Sequence, residues 1–260
     1  MEGKCCGCKE TKTVYTLRKG VTKCAECQCN QAGISFMNLF KKAIVKIPPP
    51  VHVLVAVSGG PSSMFAYNTL TTRIDVTRTS KTSFVKKIEA ISTEDLQIPN
   101  LHHIDKFTVK NVADYAREHD FNCVVLGDNT DFIALKSMGC LSQGRPDLFY
   151  WISTDDFENY PGIPILRPAR QILTAETEFI CKHRGLEYKK DLSKLQKAFI
   201  VEERMIDTII ADGNEATTFA VQKMAERLPV PTLPFKCPQC GLPFDKEGCP
   251  CEICAAENRA

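Results

Sequence analysis

The sequence predicts an α/β fold in which a parallel sheet carries helices on both faces, with a small cysteine-rich module at each end. Strand-like and helix-like segments alternate from residue 51 to about residue 228, which is the order of a parallel sheet with helical crossovers. The apolar run at residues 51–57 lies between three prolines and a Ser-Gly-Gly turn, as a buried strand does. Most of the 14 cysteines lie near the two ends, and only Cys123, Cys140 and Cys181 lie between.

The elements follow from local pattern, taken in chain order. Residues 31–50 predict a helix that stops at the triple proline, because proline cannot continue a helix. Residues 76–108 are difficult to interpret and predict one strand, near 85–91. Further strands are predicted at 51–57, 123–126 and 163–166, and further helices at 62–70, 109–118, 131–138, 174–184, 193–211 and 215–228.

We expect three parts in the chain of 260 residues. These are an N-terminal zinc module with its connecting helix at 1–46, the α/β domain at 47–228, and a Pro-rich linker with a C-terminal zinc module at 229–260. The longest apolar run is too short to cross a bilayer, and the N-terminus has no signal-peptide core. We therefore expect a cytoplasmic protein without a membrane partner.

The cysteine spacing at each end predicts a structural zinc site. In a reducing compartment thiolates bind metal, and paired CxxC turns direct four sulfurs at one ion. Four sulfurs leave no open position for water, so both sites are predicted to be structural. At the C-terminal end Cys249 competes with Cys251 for the third position, and the spacing does not decide between them. The predicted ligands are Cys5, Cys8, Cys24 and Cys27 at one end, and Cys237, Cys240, Cys251 and Cys254 at the other.

Positive charge is concentrated near the N-terminus. The net charge is only +2, yet residues 1–50 hold nine Lys or Arg and three Glu, a balance of +6. A basic surface beside a zinc module favours contact with a nucleic-acid backbone. The alternative is an ordinary solvated surface.

A small-residue turn follows the first strand of the α/β domain. It suits an anion, because backbone N–H groups can approach it closely and the next helix begins there. A second turn follows the strand at 123–126, and open α/β sheets bind nucleotides at this carboxyl edge. The predicted nucleotide contacts are Ser58, Gly59, Gly60, Ser62, Ser63, Gly127 and Asp128.

These segments resemble a known family. The stretch SGGPSS at 58–63 resembles the SGGxDS loop of PP-loop proteins, whose fold is adenine nucleotide alpha hydrolase-like, and GDNTD at 127–131 resembles their GHNxDD segment. With the zinc knuckles, the resemblance narrows to the tRNA-thiolating branch of that family. It covers most of the chain, and the segments at 134–136, 144–145 and 166–170 also carry it.

The departures from the family pattern are informative. Pro61 and Ser62 stand where catalytic members have lysine and aspartate, and Phe132 replaces the second acid. The stretches 107–122 and 188–196, where catalytic members carry cysteines, contain none. Sulfur transfer needs a thiolate or a cysteine-held cluster, so the resemblance implies a non-catalytic subunit without catalytic residues. Whether ATP binds stays open, and the three central cysteines are expected in the core.

What the resemblance implies about function is a role in the complex that 2-thiolates the wobble uridine, U34, of cytoplasmic tRNAs. The partners would be a catalytic PP-loop homologue in a heterodimer, tRNA, and a ubiquitin-related modifier as sulfur donor. Two alternatives are a self-sufficient ATP-dependent sulfurtransferase that uses the three central cysteines, and a zinc-ribbon RNA-binding protein with a vestigial loop. The alternative for each candidate tRNA contact is a solvated surface charge or an ion pair. The candidates for tRNA phosphate contact are Lys136, Arg145, Arg167 and Arg170.

Overall fold

A five-stranded parallel sheet forms the centre of the computed structural model, which describes residues 2–77, 84–190, 194–230 and 232–259. The strands are β1 Glu2–Lys4, β2 Thr11–Arg18, β3 Val21–Cys24, β4 Val51–Ala56, β5 Val85–Ser92, β6 Leu101–His103, β7 Cys123–Leu126, β8 Ile165–Leu166, β9 Phe235–Lys236 and β10 Pro243–Phe244. The helices are α1 Ala25–Ile44, α2 Pro61–Arg73, α3 Val109–Glu118, α4 Thr130–Ser142, α5 Phe149–Ser153, α6 Thr174–Arg184, α7 Lys194–Ala198, α8 Ile200–Ala211, α9 Ala216–Ala225 and α10 Glu252–Arg259.

The central sheet has the strand order β6-β5-β4-β7-β8, and its four strand pairings are all parallel. Val53 and Val55 of β4 pack in the apolar core beneath α1, α2 and α6. Leu54 and Ala56 pack in the opposite core, beneath α3. Successive side chains of a strand point to opposite faces, so β4 is buried on both sides and its carboxyl end lies mid-sheet.

The predicted α/β architecture is confirmed, with differences in particular elements. Helix α1 begins at Ala25, directly after the cysteine knuckle and earlier than the predicted start at residue 31. The predicted strand at 85–91 is present, and the short strand β6 follows it.

The predicted helix at 193–211 is divided into α7 and α8 at Phe199, whose ring packs over Gly139 of α4. Residues 78–83, within the segment that was hard to interpret, lie outside the described residues. So do residue 193 at the predicted start of that helix and residue 231 of the predicted linker.

Each terminal cysteine cluster adjoins a small antiparallel sheet. Strands β1, β2 and β3 form one sheet, and β9 and β10 form a second. The boundaries 1–46, 47–228 and 229–260 stay a prediction. Within the described ranges, every helix is too short or too polar to cross a bilayer.

Candidate nucleotide site and metal centres

The turn between β4 and α2 is built by backbone conformation and serine hydroxyls. Gly59 has a φ of +77°, in the left-handed region that favours glycine, and Gly60 caps α2 ahead of Pro61. The Ser63 hydroxyl donates to the Gly60 carbonyl at 3.0 Å and accepts from the Ser58 N–H at 3.2 Å. The turn therefore has a defined shape, at the carboxyl edge where open α/β sheets bind ligands.

The second predicted turn touches the first. A Cβ atom on Gly127 would lie 2.6 Å from the Ser63 Cα, so only glycine lets β7 approach α2 this closely. The Asn129 amide donates to the hydroxyls of Ser62 and Thr174, at 2.8 Å each. The structure thus brings the predicted serine and glycine residues of both turns together. Asn129 and Thr174, which are not among the predicted contacts, lie with them.

A segment after α6 covers the mouth of the first turn. The Lys189 N–H donates to the Gly59 carbonyl at 2.8 Å, and the Lys189 Nζ pairs with Glu94 Oε2 at 2.5 Å. The Leu96 side chain lies beside that of Lys189 next to the same glycine. Lys189 is distant in sequence, so no local pattern could have predicted this contact.

Asp128 points its carboxylate at two cations. Its Oδ2 accepts from Lys136 Nζ at 2.8 Å and from Arg167 Nε at 3.1 Å. Burial acts to raise the pKa of Asp128, but the two positive charges outweigh it and lower that pKa below its usual value. Asp128 is therefore a buried anion whose charge is compensated within the protein.

The turns fit a nucleotide only in part. The start of α2 offers backbone N–H groups and a helix dipole to a phosphate, but Pro61 has no N–H to contribute. Asp128 has two cationic partners already, and the Lys189–Glu94 pair stands over Gly59. Nucleotide contact by the predicted residues remains a prediction.

The four cations predicted to contact tRNA all form ion pairs. Arg145 pairs with Asp147 and Glu252 at 2.6 and 3.1 Å, and Arg170 pairs with Asp155 at 3.1 Å. Arg167 and Lys136 share Asp128, as described above. The ion-pair alternative is thus what the structure shows, although these pairs are largely buried rather than on the surface. Phosphate contact by these side chains stays untested.

At the N-terminal end, four cysteine sulfurs come together. The Sγ atoms of Cys5, Cys8, Cys24 and Cys27 all lie within 4.8 Å of one another. The Cys5 Sγ accepts N–H groups from Gly7 at 3.3 Å and Cys24 at 3.2 Å. The Cys24 N–H is the largest cause that lowers the pKa of Cys5, to about 6. A tetrahedral metal ion fits this donor set.

The C-terminal group has the same composition. Its Sγ atoms also lie within 4.8 Å of one another, and they belong to Cys237, Cys240, Cys251 and Cys254. Cys251 donates its N–H to the Cys237 Sγ at 3.3 Å, whereas Cys249 is outside the group. Of the two alternatives that the spacing left open, the structure places Cys251 in the group. The set is compatible with metal binding, and the identity of the metal is a separate question.

The three central cysteines do not converge on the turns. Cys123 and Cys181 are buried in the core beneath α1, α2 and α6, while Cys140 lies in a different cluster with Trp151. Burial raises the pKa of Cys140 and of Cys181 to about 12, and raises that of Cys123 further. Within the described residues, none of the three belongs to a group of possible metal ligands. All three are therefore neutral core thiols at physiological pH.

Known proteins resemble this chain at two levels. A curated protein matches part of its sequence, and solved structures match its fold. No protein-family model matches the chain. The Cytoplasmic tRNA 2-thiolation protein 2 of Schizosaccharomyces pombe is 25% identical over 142 residues, which cover 53% of this chain and 38% of that protein. This chain therefore spans much less than the full length of that relative.

A solved structure of the U34-tRNA thiolase NcsA from Methanococcus maripaludis, with its [4Fe-4S] cluster, matches with a TM-score of 0.66. The sequence identity is 13%, and the match covers 98% of this chain and 96% of that one. At this identity the likeness concerns the fold. The chain thus has a PP-loop-like α/β fold with a four-cysteine group toward each end, as the sequence predicts.

Proposed function

We propose that this chain is a subunit of a complex that thiolates the wobble uridine of cytoplasmic tRNAs, and that a catalytic homologue performs the sulfur step. The relative in sequence is a tRNA 2-thiolation protein, which supports a role for this chain in tRNA thiolation. The fold shared with a U34-tRNA thiolase is consistent with it. Because the relative is matched over only 38% of its length, the activity of the whole protein is part of the proposal.

One observation carries the non-catalytic role: within the described residues each of the three central thiols is buried and held protonated, including Cys181, which touches the first turn. Sulfur transfer needs a thiolate or a cluster ligand. Cys123 and Cys140 are buried in the core. Cys181 is also buried, and its Sγ donates to the Pro61 carbonyl at 3.4 Å, so this thiol serves as a hydrogen-bond donor within the fold.

Within the complex the chain would help to hold tRNA. The N-terminal module offers exposed lysines at its surface, including Lys4, Lys9, Lys41 and Lys42, and a phosphate backbone is drawn to such a surface. The two four-cysteine groups would hold structural zinc and so fix the shape of both modules. The structural neighbour carries an iron–sulfur cluster, so metal analysis of the purified chain must distinguish zinc from iron.

The deciding experiment combines purification with reconstitution. The full chain is purified from its native source, copurifying proteins are identified, and thiolation of tRNA is assayed with and without the copurified homologue. We expect thiolation only with the homologue. A triple variant, Cys123→Ala, Cys140→Ala and Cys181→Ala, should support thiolation as the unaltered chain does, provided that circular dichroism shows it folded. Thiolation by the purified chain alone would overturn the proposal.

The second candidate is a self-sufficient sulfurtransferase, which the contact between Cys181 and Pro61 in the first turn favours. It predicts a visible iron–sulfur absorption band that Cys181→Ala removes. If tRNA instead binds in a salt-sensitive manner and no homologue copurifies, the chain is an RNA-binding protein with a vestigial loop.

A further inference from the structure

A groove runs along α3 on the side of the sheet away from β8. Its larger part is a cleft of about 540 Å³ that begins at His103, the last residue of β6, and reaches Glu118 at the end of α3. An adjoining cleft of about 270 Å³ shares Lys106 and Asn111 with it and extends to Gln239 in the C-terminal cysteine module. The two clefts are joined by these shared lining residues, and we call them together the α3 groove.

A fixed aromatic side chain lies in the wall of the groove. The Tyr115 hydroxyl is 2.8 Å from His102 Nδ1, and His102 Nε2 is 2.6 Å from Glu89 Oε2. The Tyr115 ring also stacks on His119, with ring centroids 3.8 Å apart. A tyrosine held in this way loses little side-chain entropy when a partner packs on it, which is a property of residues that anchor interfaces.

Negative charge lies along the groove. Asp105 and Glu118 line it and are exposed, and Asp114 lines it between them. Asp114 already pairs with Lys110 and Arg117, whereas no ion pair involves Asp105 or Glu118 among the described residues. Lys106 is the one lysine in the lining of the larger cleft. Three carboxylates and one lysine thus line the larger cleft, and the two exposed carboxylates without ion pairs in the described ranges, Asp105 and Glu118, favour a cationic occupant.

The sheet edge beside the groove is unpaired in the described part of the chain. Strand β6 stands at the end of the strand order and pairs only with β5. An edge strand presents N–H and C=O groups to which an extended peptide can add as a further strand. Since the groove begins where β6 ends, a peptide added to β6 would lead directly into it.

We propose that the α3 groove and the outer edge of β6 form a docking site for an extended, basic segment of a partner protein. The segment adds to β6 by main-chain hydrogen bonds. Its Lys or Arg side chains lie along Tyr115 and reach the carboxylates of Asp105 and Glu118. The inference does not depend on the proposed role in thiolation, and no part of the site overlaps the two turns at β4 and β7.

The test measures binding of labelled peptides to the full, metal-loaded chain by fluorescence anisotropy. The probe is a short peptide in which Arg and Val alternate, and the comparison peptides replace Arg by Glu or carry an N-methyl group at every residue. We expect binding of the basic peptide alone, because the acidic peptide is repelled and N-methylation removes ladder donors. Peptide binding should also protect the amides of residues 101–106 from hydrogen exchange.

Charge reversal locates the site. The double variant Asp105→Lys and Glu118→Lys should weaken binding of the basic peptide by about tenfold or more, through loss of two attractive pairs and added repulsion. The matched control Glu187→Lys and Asp212→Lys changes the net charge equally at exposed positions elsewhere, and should change affinity by less than about twofold.

Several outcomes would overturn the proposal. Equal loss in both double variants would mean that net charge alone attracts the peptide. Binding of the N-methylated peptide at full strength would exclude strand addition. Sedimentation that shows the chain itself pairing through this groove would make the occupant a second copy, and single-stranded RNA that protects residues 101–106 would make it a nucleic acid.

Discussion

Arg145, Arg167 and Arg170 are buried cations whose charge is neutralised inside the protein. Arg145 donates to Asp147, to Glu252 and to the Pro243 carbonyl, and its guanidinium lies 5.0 Å from the centroid of the Phe244 ring. It thus joins the α4–α5 region to the C-terminal cysteine module. At the scale of the residue, each of these cations is chiefly a structural link between parts of the chain distant in sequence.

Removing Arg145 should loosen the C-terminal module. We expect Arg145→Ala to lower the free energy of unfolding by about 3 kcal/mol, because Asp147 and the Pro243 carbonyl lose their buried donor and Glu252 keeps only Lys246. The control Arg117→Ala removes an exposed pair with Asp114 and should cost at most about 1 kcal/mol. Urea unfolding measures both, and equal effects would contradict the structural role of Arg145.

Because β7 approaches α2 closely at Gly127 but not at Gly60, alanine should destabilise the protein more at Gly127 than at Gly60. Gly127→Ala places a methyl group 2.6 Å from the Ser63 Cα and should destabilise the protein by about 2 kcal/mol or more. Gly60→Ala, at a φ of −75° with no atom nearer than 3.6 Å, should cost only about 1 kcal/mol, because alanine is a poorer N-cap than glycine. Thermal unfolding of the two variants would refute this if Gly60→Ala were the less stable.

Because the pKa of Asp128 is lowered in the folded protein, the free energy of unfolding should fall at low pH. A carboxyl group whose pKa is lower in the folded state stabilises the fold above its unfolded pKa of about 3.9, and that contribution is lost as the pH falls below about 4. Asp128→Asn should therefore flatten the fall in unfolding free energy below pH 4, besides destabilising the protein at pH 7. The exposed control Asp212→Asn should leave the acid limb unchanged.

At the scale of the element, the cysteine modules depend on their sulfurs. Strands β9 and β10 have two residues each, too few to bury a core of their own. Phe244 packs directly among the four cysteines of its group. Where a metal ion binds such a segment, the ion supplies most of its folding free energy, so ligand loss should unfold the module while the central sheet persists.

Neighbouring cysteines provide matched controls for this expectation. Cys8→Ser and Cys251→Ser each remove a sulfur from a four-cysteine group and should each reduce bound metal from two ions per chain to about one. Cys6→Ser and Cys249→Ser change adjacent cysteines outside the groups and should retain both ions. Elemental analysis of the purified variants decides the matter, and metal loss in Cys249→Ser equal to that in Cys251→Ser would exclude the assignment of Cys251.

At the scale of the whole molecule, partly buried side-chain contacts join both modules to the α/β domain. Arg18 of β2 donates to both carboxylate oxygens of Glu176 at the start of α6, at 2.8 and 2.6 Å, and stacks over Phe219 of α9. Arg145 and Tyr160 hold the other module through Glu252 and the Cys240 carbonyl. The modules are thus docked on the α/β domain.

The distribution of thiols over the molecule gives a further test. In the metal-loaded protein an alkylating reagent should modify Cys6, which is exposed. Cys123, Cys140 and Cys181 should react only after unfolding, because burial keeps them protonated and out of contact with solvent. Mass spectrometry after brief labelling identifies the sites. Rapid native labelling of Cys181 would instead favour the sulfurtransferase alternative.

The sequence by itself determined the α/β class, the turns after β4 and β7, and the two cysteine groups, because each depends on residues close together in the chain. Spacing of two residues places both sulfurs of a knuckle on one turn, and an apolar run between Pro and Gly specifies a buried strand wherever it lies. Only the tertiary structure decided between Cys249 and Cys251, and brought Lys189 to Gly59 and Arg145 to Glu252. Those contacts depend on chain segments that folding brings together, and a cation in a sequence carries no sign of whether its partner will be a carboxylate or a phosphate.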